Sequence, residues 1–268
     1  MSDSFNKTIA IGSNYFEITN EIKIKFADAN HKAKVTYDLL FKKKPEEEYD
    51  VEMNRLNYLV NGNEIINKFS SISNDYFQCL FPLQFKIVDN EFQLYNYKEI
   101  KKRIAKKDIF LINKYNGEGL DYIRKEFLKK VEDEIKMIAF VNSLNVINIL
   151  NLTLKRYLKE TNYPFNWTTP ALGLTCWNLK MNGNRMDEIN FLSEELNQKE
   201  FINSLRNYFV ANKINNSINE DEIVENEFAV KICYESNKLN VLQTDAKCKI
   251  VLGNHFEYEE KIIIKSKI

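Results

Sequence analysis

Cysteine, proline, glycine and histidine are all scarce, with 4 Cys, 4 Pro, 7 Gly and 2 His in 268 residues. So little Gly and Pro excludes a collagenous or low-complexity chain, and no repeat of 20 to 50 residues or Pro/Gly/Ser linker is present. Cys79, Cys176, Cys233 and Cys248 contain no C-x-x-C pair, which excludes a locally built zinc knuckle or thioredoxin-type motif. Charge of one sign is also missing, since 38 basic residues meet 38 acidic ones. That balance argues against a coat for a polyanion.

Catalytic motifs are missing as well. No G-x-S-x-G, G-x-G-x-x-G or G-x-x-x-x-G-K-[ST] occurs, and His31 and His255 form no H-x-x-x-H or H-x-x-E-H pattern. Cys248 and His255 would sit on neighbouring strands, yet Cys248 shares the apolar parity of its strand and points inward. No catalytic residue, metal ligand or cofactor is therefore assigned. The start, Met1-Ser2-Asp3-Ser4-Phe5-Asn6-Lys7, places an acid where a signal peptide needs positive charge, and no apolar core follows. The expectation is a cytoplasmic protein with four reduced thiols.

What is present is a large apolar and aromatic fraction, 44% hydrophobic and 13% aromatic. A chain of this length buries roughly 70 to 75% of its unfolded surface, so its core needs no metal or disulfide. Phe16, Ile18, Ile22, Ile24 and Phe26 share one parity, as do Ala33, Val35, Tyr37, Leu39 and Phe41, which predicts an antiparallel hairpin. Tyr49, Val51 and Met53 begin a third strand whose phase switches at Leu56, Tyr58 and Val60, and a bulge near Asn54-Arg55 absorbs the switch. Ile65, Phe69, Ile72, Tyr76 and Leu80 recur at helical spacing, and Leu83, Phe85, Ile87, Phe92 and Leu94 form a second hairpin around Asp89-Asn90.

Residues 97 to 160 carry helical stripes broken at Gly117 and Gly119, and a further helix is expected from Asp187 to Asn212. Alternation returns from Phe228 to Ile264 as a three-stranded meander. The predicted class is α+β, with an antiparallel sheet from N- and C-terminal strands and a helical middle segment. The expected parts are 1–96, rich in strands, a helical 97–222, and the meander 223–268, packed with 1–96 as one domain.

Three segments bear on partners. Met137 to Leu154 is long and apolar enough to suggest a membrane span, but Asn142, Asn145, Asn148 and Asn151 would leave amides unsatisfied in hydrocarbon. No span is expected; a core helix or a polar seam in a homo-oligomer suits these residues better. Lys98, Lys101, Lys102, Arg103, Lys106 and Lys107, opposed only by Glu99, leave five net positive charges. Glu220, Asp221, Glu222, Glu225 and Glu227 form an opposite patch, which disfavours nucleic acid; the basic run then reads first as solvated helix surface, with an acidic protein partner as the alternative.

Asn162 to Asn184 gathers both tryptophans with Pro164, Phe165, Pro170, Gly173 and Cys176, and reads as a long irregular loop. Such a loop either plugs an opening between the sheet and the helices with its tryptophans buried, or presents them, since aromatic side chains on an ordered loop are the usual anchors of a binding surface. The site residues expected are therefore Phe165, Trp167 and Trp177, with Lys101, Lys102 and Arg103 steering the encounter. Another protein is the expected partner of a non-enzymatic adaptor, chaperone-like factor or immunity-type component. The alternatives are a carrier of an apolar small molecule and an enzyme without a recognisable motif.

Overall fold

A computed structural model describes residues 15–26, 29–43, 50–155, 162–170, 172–185, 187–193, 198–211, 214, 218, 222–235 and 240–267. Met1 to Lys7, and Glu220 and Asp221 of the acidic run, lie outside them. The chain opens with β1 (Tyr15–Phe26), β2 (Ala29–Lys43) and β3 (Asp50–Val60), then α1 (Lys68–Gln78) and the hairpin β4 (Leu83–Val88) and β5 (Glu91–Leu94). Four helices follow: α2 (Tyr97–Lys114), α3 (Glu118–Lys130), α4 (Glu134–Asn142) and α5 (Asn145–Leu154). β6 (Asn162–Thr169), β7 (Gly173–Arg185) and β8 (Glu188–Ser193) precede α6 (Gln198–Ala211). β9 (Val224–Tyr234), β10 (Val241–Leu252) and β11 (Phe256–Ser266) complete the described chain.

All eleven strands join one antiparallel sheet in the order β5-β4-β3-β2-β1-β11-β10-β9-β8-β7-β6. β1 pairs with β11, so the two ends of the described chain meet in the middle of the sheet, with Ile18 opposite Ile264. The sheet draws strands from all three expected segments. Asp89 and Asn90 both have positive φ, 52° and 60°, and close the β4–β5 hairpin in the way that twisted strands favour. The expected bulge is present, displaced to Asn57 and Tyr58, where Thr36 faces Leu59 but Asp38 faces Leu56. Asn57 takes φ 52° there.

The middle of the chain departs from its expected helical content. The stretch expected as an irregular loop is the β6–β7 hairpin, and the helix expected from Asp187 is β8 followed by α6 from Gln198. Composition misled where period would have served. Tyr163, Phe165, Trp167 and Thr169 alternate with exposed or half-buried neighbours, as do Thr175, Trp177 and Leu179. Pro164 does not contradict a strand, because β6 ends the sheet and an edge strand tolerates a missing N–H.

The sheet is strongly rolled. In the strand order β6 and β11 are separated by four strands, which in a flat sheet places them about 24 Å apart. Yet the Trp167 indole Nε1 donates to the Tyr258 hydroxyl at 3.1 Å across the concave side. Phe165, Trp167 and Trp177 all pack on Phe228 of β9, with ring centroids 5.3, 5.1 and 5.0 Å away.

Helices cover the opening that remains. Asp108 of α2 accepts from the Tyr76 hydroxyl of α1 at 2.6 Å and from Arg124 Nε of α3 at 2.7 Å, locking three helices together. α4 and α5 split the Met137–Leu154 stretch and meet at 74°. Among the described residues no single helix is long and apolar enough to cross a membrane, although this bent pair reaches the threshold by length and composition. α5 is buried nearly all round, through Ile147, Ile149, Leu150, Leu152 and Leu154.

Its asparagines meet both edges of the sheet. Asn145 donates to Thr168 O at 2.9 Å and accepts from Thr168 N at 2.7 Å, and Asn148 donates to Asn166 O at 2.9 Å, all on β6. Asn151 accepts from Phe92 N of β5 at 2.8 Å.

Candidate binding cavity

Alternation along β1, β3 and β11 places apolar side chains on the concave face, and each of these strands breaks the pattern once with a polar residue. On β1 the break is Asn20, between Ile18 and Ile22; on β3 it is Arg55, after Met53; on β11 it is Glu260, between Tyr258 and Ile262. All three line one cavity of about 620 Å³ between the concave face and the helices. Most of its wall is apolar, built from side chains such as Leu39, Met53, Phe77, Phe81, Leu144 and Ile262. The size lies inside the usual range for small-molecule sites, roughly 300 to 1,000 Å³.

Arg55 is 5% exposed. Its Nε and Nη2 donate to Gln78 Oε1 at 3.0 and 2.8 Å, Nη2 also donates to Asn74 Oδ1 at 2.6 Å, and both acceptors belong to α1. The rings of Tyr58, Phe77 and Phe81 lie 4.5, 4.7 and 5.4 Å from the guanidinium carbon. These contacts are neutral amides and ring faces, which attract a cation without neutralising it. Burial pulls the guanidinium down to about 10, still far enough above neutrality to keep it charged. On the adjacent strand Tyr37 is half-buried and stacks against Tyr58 with centroids 6.2 Å apart.

Glu260 is 3% exposed and is held by neutral donors. Oε1 accepts from Asn20 Nδ2 at 2.7 Å; Oε2 accepts from Asn145 Nδ2 at 3.1 Å and from the Tyr258 hydroxyl in a short contact. Burial pushes its carboxyl above the ordinary range, and these hydrogen bonds offset only part of that rise. Tyr258 is pushed up as well, by its burial and by the neighbouring Glu260. Asn20 Oδ1 is buried with no hydrogen-bond partner among the described residues. At the rim, Lys129, Lys130 and Lys136 are exposed, with Lys130 Nζ 5.2 Å from the Phe140 ring and Lys136 paired with Glu132.

The residues expected to form a partner surface lie elsewhere. Phe165, Trp167 and Trp177 are 5%, 0% and 2% exposed in the rolled β6–β9 core, so they present no ready surface to a partner. Trp167 meets the cavity network at its edge, through the Tyr258 hydroxyl and beside Glu260. Arg103 turns inward and donates to the carbonyls of Cys79, Leu80 and Pro82 at 3.0, 2.9 and 3.0 Å, closing the chain after α1. Lys101 and Lys102 stay exposed on α2. A shallower groove of about 420 Å³ beside them is lined by Arg103, Lys106, Lys107 and Phe110. All four cysteines are free, with Cys79 and Cys248 buried and Cys176 exposed. Sequence reasoning singles out none of Asn20, Tyr37, Arg55 and Glu260 as a site residue, although three of them stand as gaps in an otherwise apolar parity.

No known protein family and no curated protein sequence matches the chain. Among solved structures, one described as "lipid-protein interactions in lipovitellin" aligns over 95% of this chain at 8% identity, with a TM-score of 0.46. The chain spans about a quarter of the length of that protein, 24%.

Proposed function

We propose that the protein is a carrier of a small molecule with an apolar body, held in the cavity between the concave face of β1, β2, β3 and β11 and the cover formed by α1, α4 and α5. One observation carries this reading: a volume of about 620 Å³ stays open inside a rolled sheet, and its wall is mainly apolar. A folded core ordinarily fills such a space with side chains, since close packing supplies much of its stability. The few polar groups on the wall would orient a guest, which is the usual division of labour in a ligand site. Burial of Phe165, Trp167 and Trp177 removes the main support for a protein-docking loop.

The reading is tested with a neutral solvatochromic dye, Nile red, titrated into delipidated protein. Saturable one-to-one binding with a blue shift is expected. Ala139 lines the cavity from an exposed position on α4, so Ala139→Trp narrows the mouth without disturbing the core. That variant is expected to weaken dye binding by about tenfold, equivalent to about 1.4 kcal/mol, with an unchanged melting temperature. Absence of saturable dye binding in the native protein would remove the carrier function.

A further inference from the structure

We propose that the cavity selects amphiphiles with a carboxylate head, seated against the Arg55 guanidinium with the Tyr37 hydroxyl as a second donor on the same wall. The inference rests on the carrier reading and narrows its ligand to one head-group chemistry. Of the three guanidinium nitrogens, Nε and Nη2 are engaged by Gln78 and Asn74, while Nη1 makes no hydrogen bond among the described residues. No carboxylate lies within ion-pair distance of Arg55 among those residues, so the wall holds a desolvated cation without a counter-ion. Such a charge is costly in a folded core unless something of opposite sign completes it.

The Tyr37 hydroxyl likewise makes no hydrogen bond among the described residues, although its ring faces the cavity next to Tyr58, on which Arg55 rests. Two donors and one positive charge match one carboxylate, with two oxygens and a single negative charge. A phosphate monoester brings more charge, about −1.5 to −2, which one guanidinium leaves partly unmatched. The other buried charge on the wall does not compete. Both Glu260 oxygens already accept from Asn20, Asn145 and Tyr258. Exposed Lys129, Lys130 and Lys136 at the rim favour the approach of an anion.

The experiment displaces bound Nile red at pH 8 with four ligands of one chain length: dodecanoate, 1-dodecanol, dodecyl phosphate and dodecyltrimethylammonium. Dodecanoate is expected to compete at concentrations at least about tenfold below the alcohol, the ammonium and the phosphate. Arg55→Gln should bring acid and alcohol to within about threefold of each other, with dye affinity retained. Because Arg55 also ties β3 to α1, Tyr37→Phe serves as the gentler variant, keeping the ring and removing only the hydroxyl. It should narrow the acid-over-alcohol preference. Equal competition by acid and alcohol in the native protein, or preference for the phosphate or the ammonium, overturns the head-group assignment and leaves the apolar cavity standing. Failure of the dye itself to bind overturns both.

Discussion

Glu260 and Asp38 are both buried carboxyls, 3% and 4% exposed, and their surroundings push them in opposite directions. Burial raises both, but Asp38 accepts from Lys267 Nζ at 2.7 Å, the Tyr15 hydroxyl at 2.6 Å and Asn57 Nδ2 at 2.7 Å, which together hold it below the ordinary range. Glu260 has only neutral donors and stays raised. A carboxyl raised in the folded state binds its proton more tightly there than in the unfolded chain, so stability falls with rising pH. The Glu260 contribution is fully present below its ordinary value of 4.5 and is lost as pH climbs through the raised one. Asp38 behaves the other way, contributing above its ordinary 3.8 and losing that contribution in acid. Glu260→Gln should therefore gain melting temperature relative to the native protein as pH is raised from 4 to 8. Asn20 can rotate its unpartnered Oδ1 toward the introduced amide, so the variant should fold. A melting-temperature difference that stays flat across that range would show that Glu260 is not shifted. At this scale the site was half legible: Asn20, Arg55 and Glu260 occupy inward positions of strands that were recognised. Nothing in the sequence shows that the three strands place them around one hollow.

At the scale of elements, α5 explains why asparagines interrupt so apolar a helix. An edge strand exposes a row of unpaired N–H and C=O groups, which invites pairing with another chain. Asn145 and Asn148 satisfy such groups on β6, and Asn151 does so on β5. Asn145 and Asn151 lie about 9 Å apart along the helix axis, so one short helix ties down both margins of the sheet. Asn145→Ala removes both bonds to Thr168 and the donor to Glu260, leaving the Thr168 N–H without its acceptor. It should cost about 2 kcal/mol and accelerate amide exchange at Thr168, with Phe92 unaffected; Asn151→Ala should reverse that pattern. Uniform acceleration at both amides in either variant would mean that the helix does not act on the edges separately. The asparagines are visible in the sequence and already argue there for a core helix rather than a membrane span. Which backbone they meet is hidden in the sequence, because the Pro, Gly and Trp content of residues 162–184 masks the alternation of β6 and β7.

For the whole molecule, the rolling of the sheet decides what is core and what is surface. Local alternation identified β1–β5 and β9–β11, because period two is a property of each strand alone. Curvature is a property of the complete sheet. The contact that records it, Trp167 with Tyr258, joins residues 91 positions apart. Aromatic residues in a region without recognised period look like exposed anchors, whereas in the rolled sheet they fill its tight end. Trp167 touches Phe165 and Phe228 and bonds to Tyr258, and Trp177 donates to Thr175 Oγ1 at 3.0 Å while packing on Phe228. Iodide should therefore quench the tryptophan fluorescence of the folded protein far less than that of the protein in denaturant. Trp167→Ala should destabilise by about 3 to 5 kcal/mol, the range for emptying a large aromatic site in a packed core. Trp167→Phe keeps most of the volume and loses the indole donor, so its loss should be smaller. Strong quenching of the folded protein, or an alanine variant of native stability, would place these side chains in water. Either result would undo the rolled sheet, and the cavity that depends on it would lose its wall.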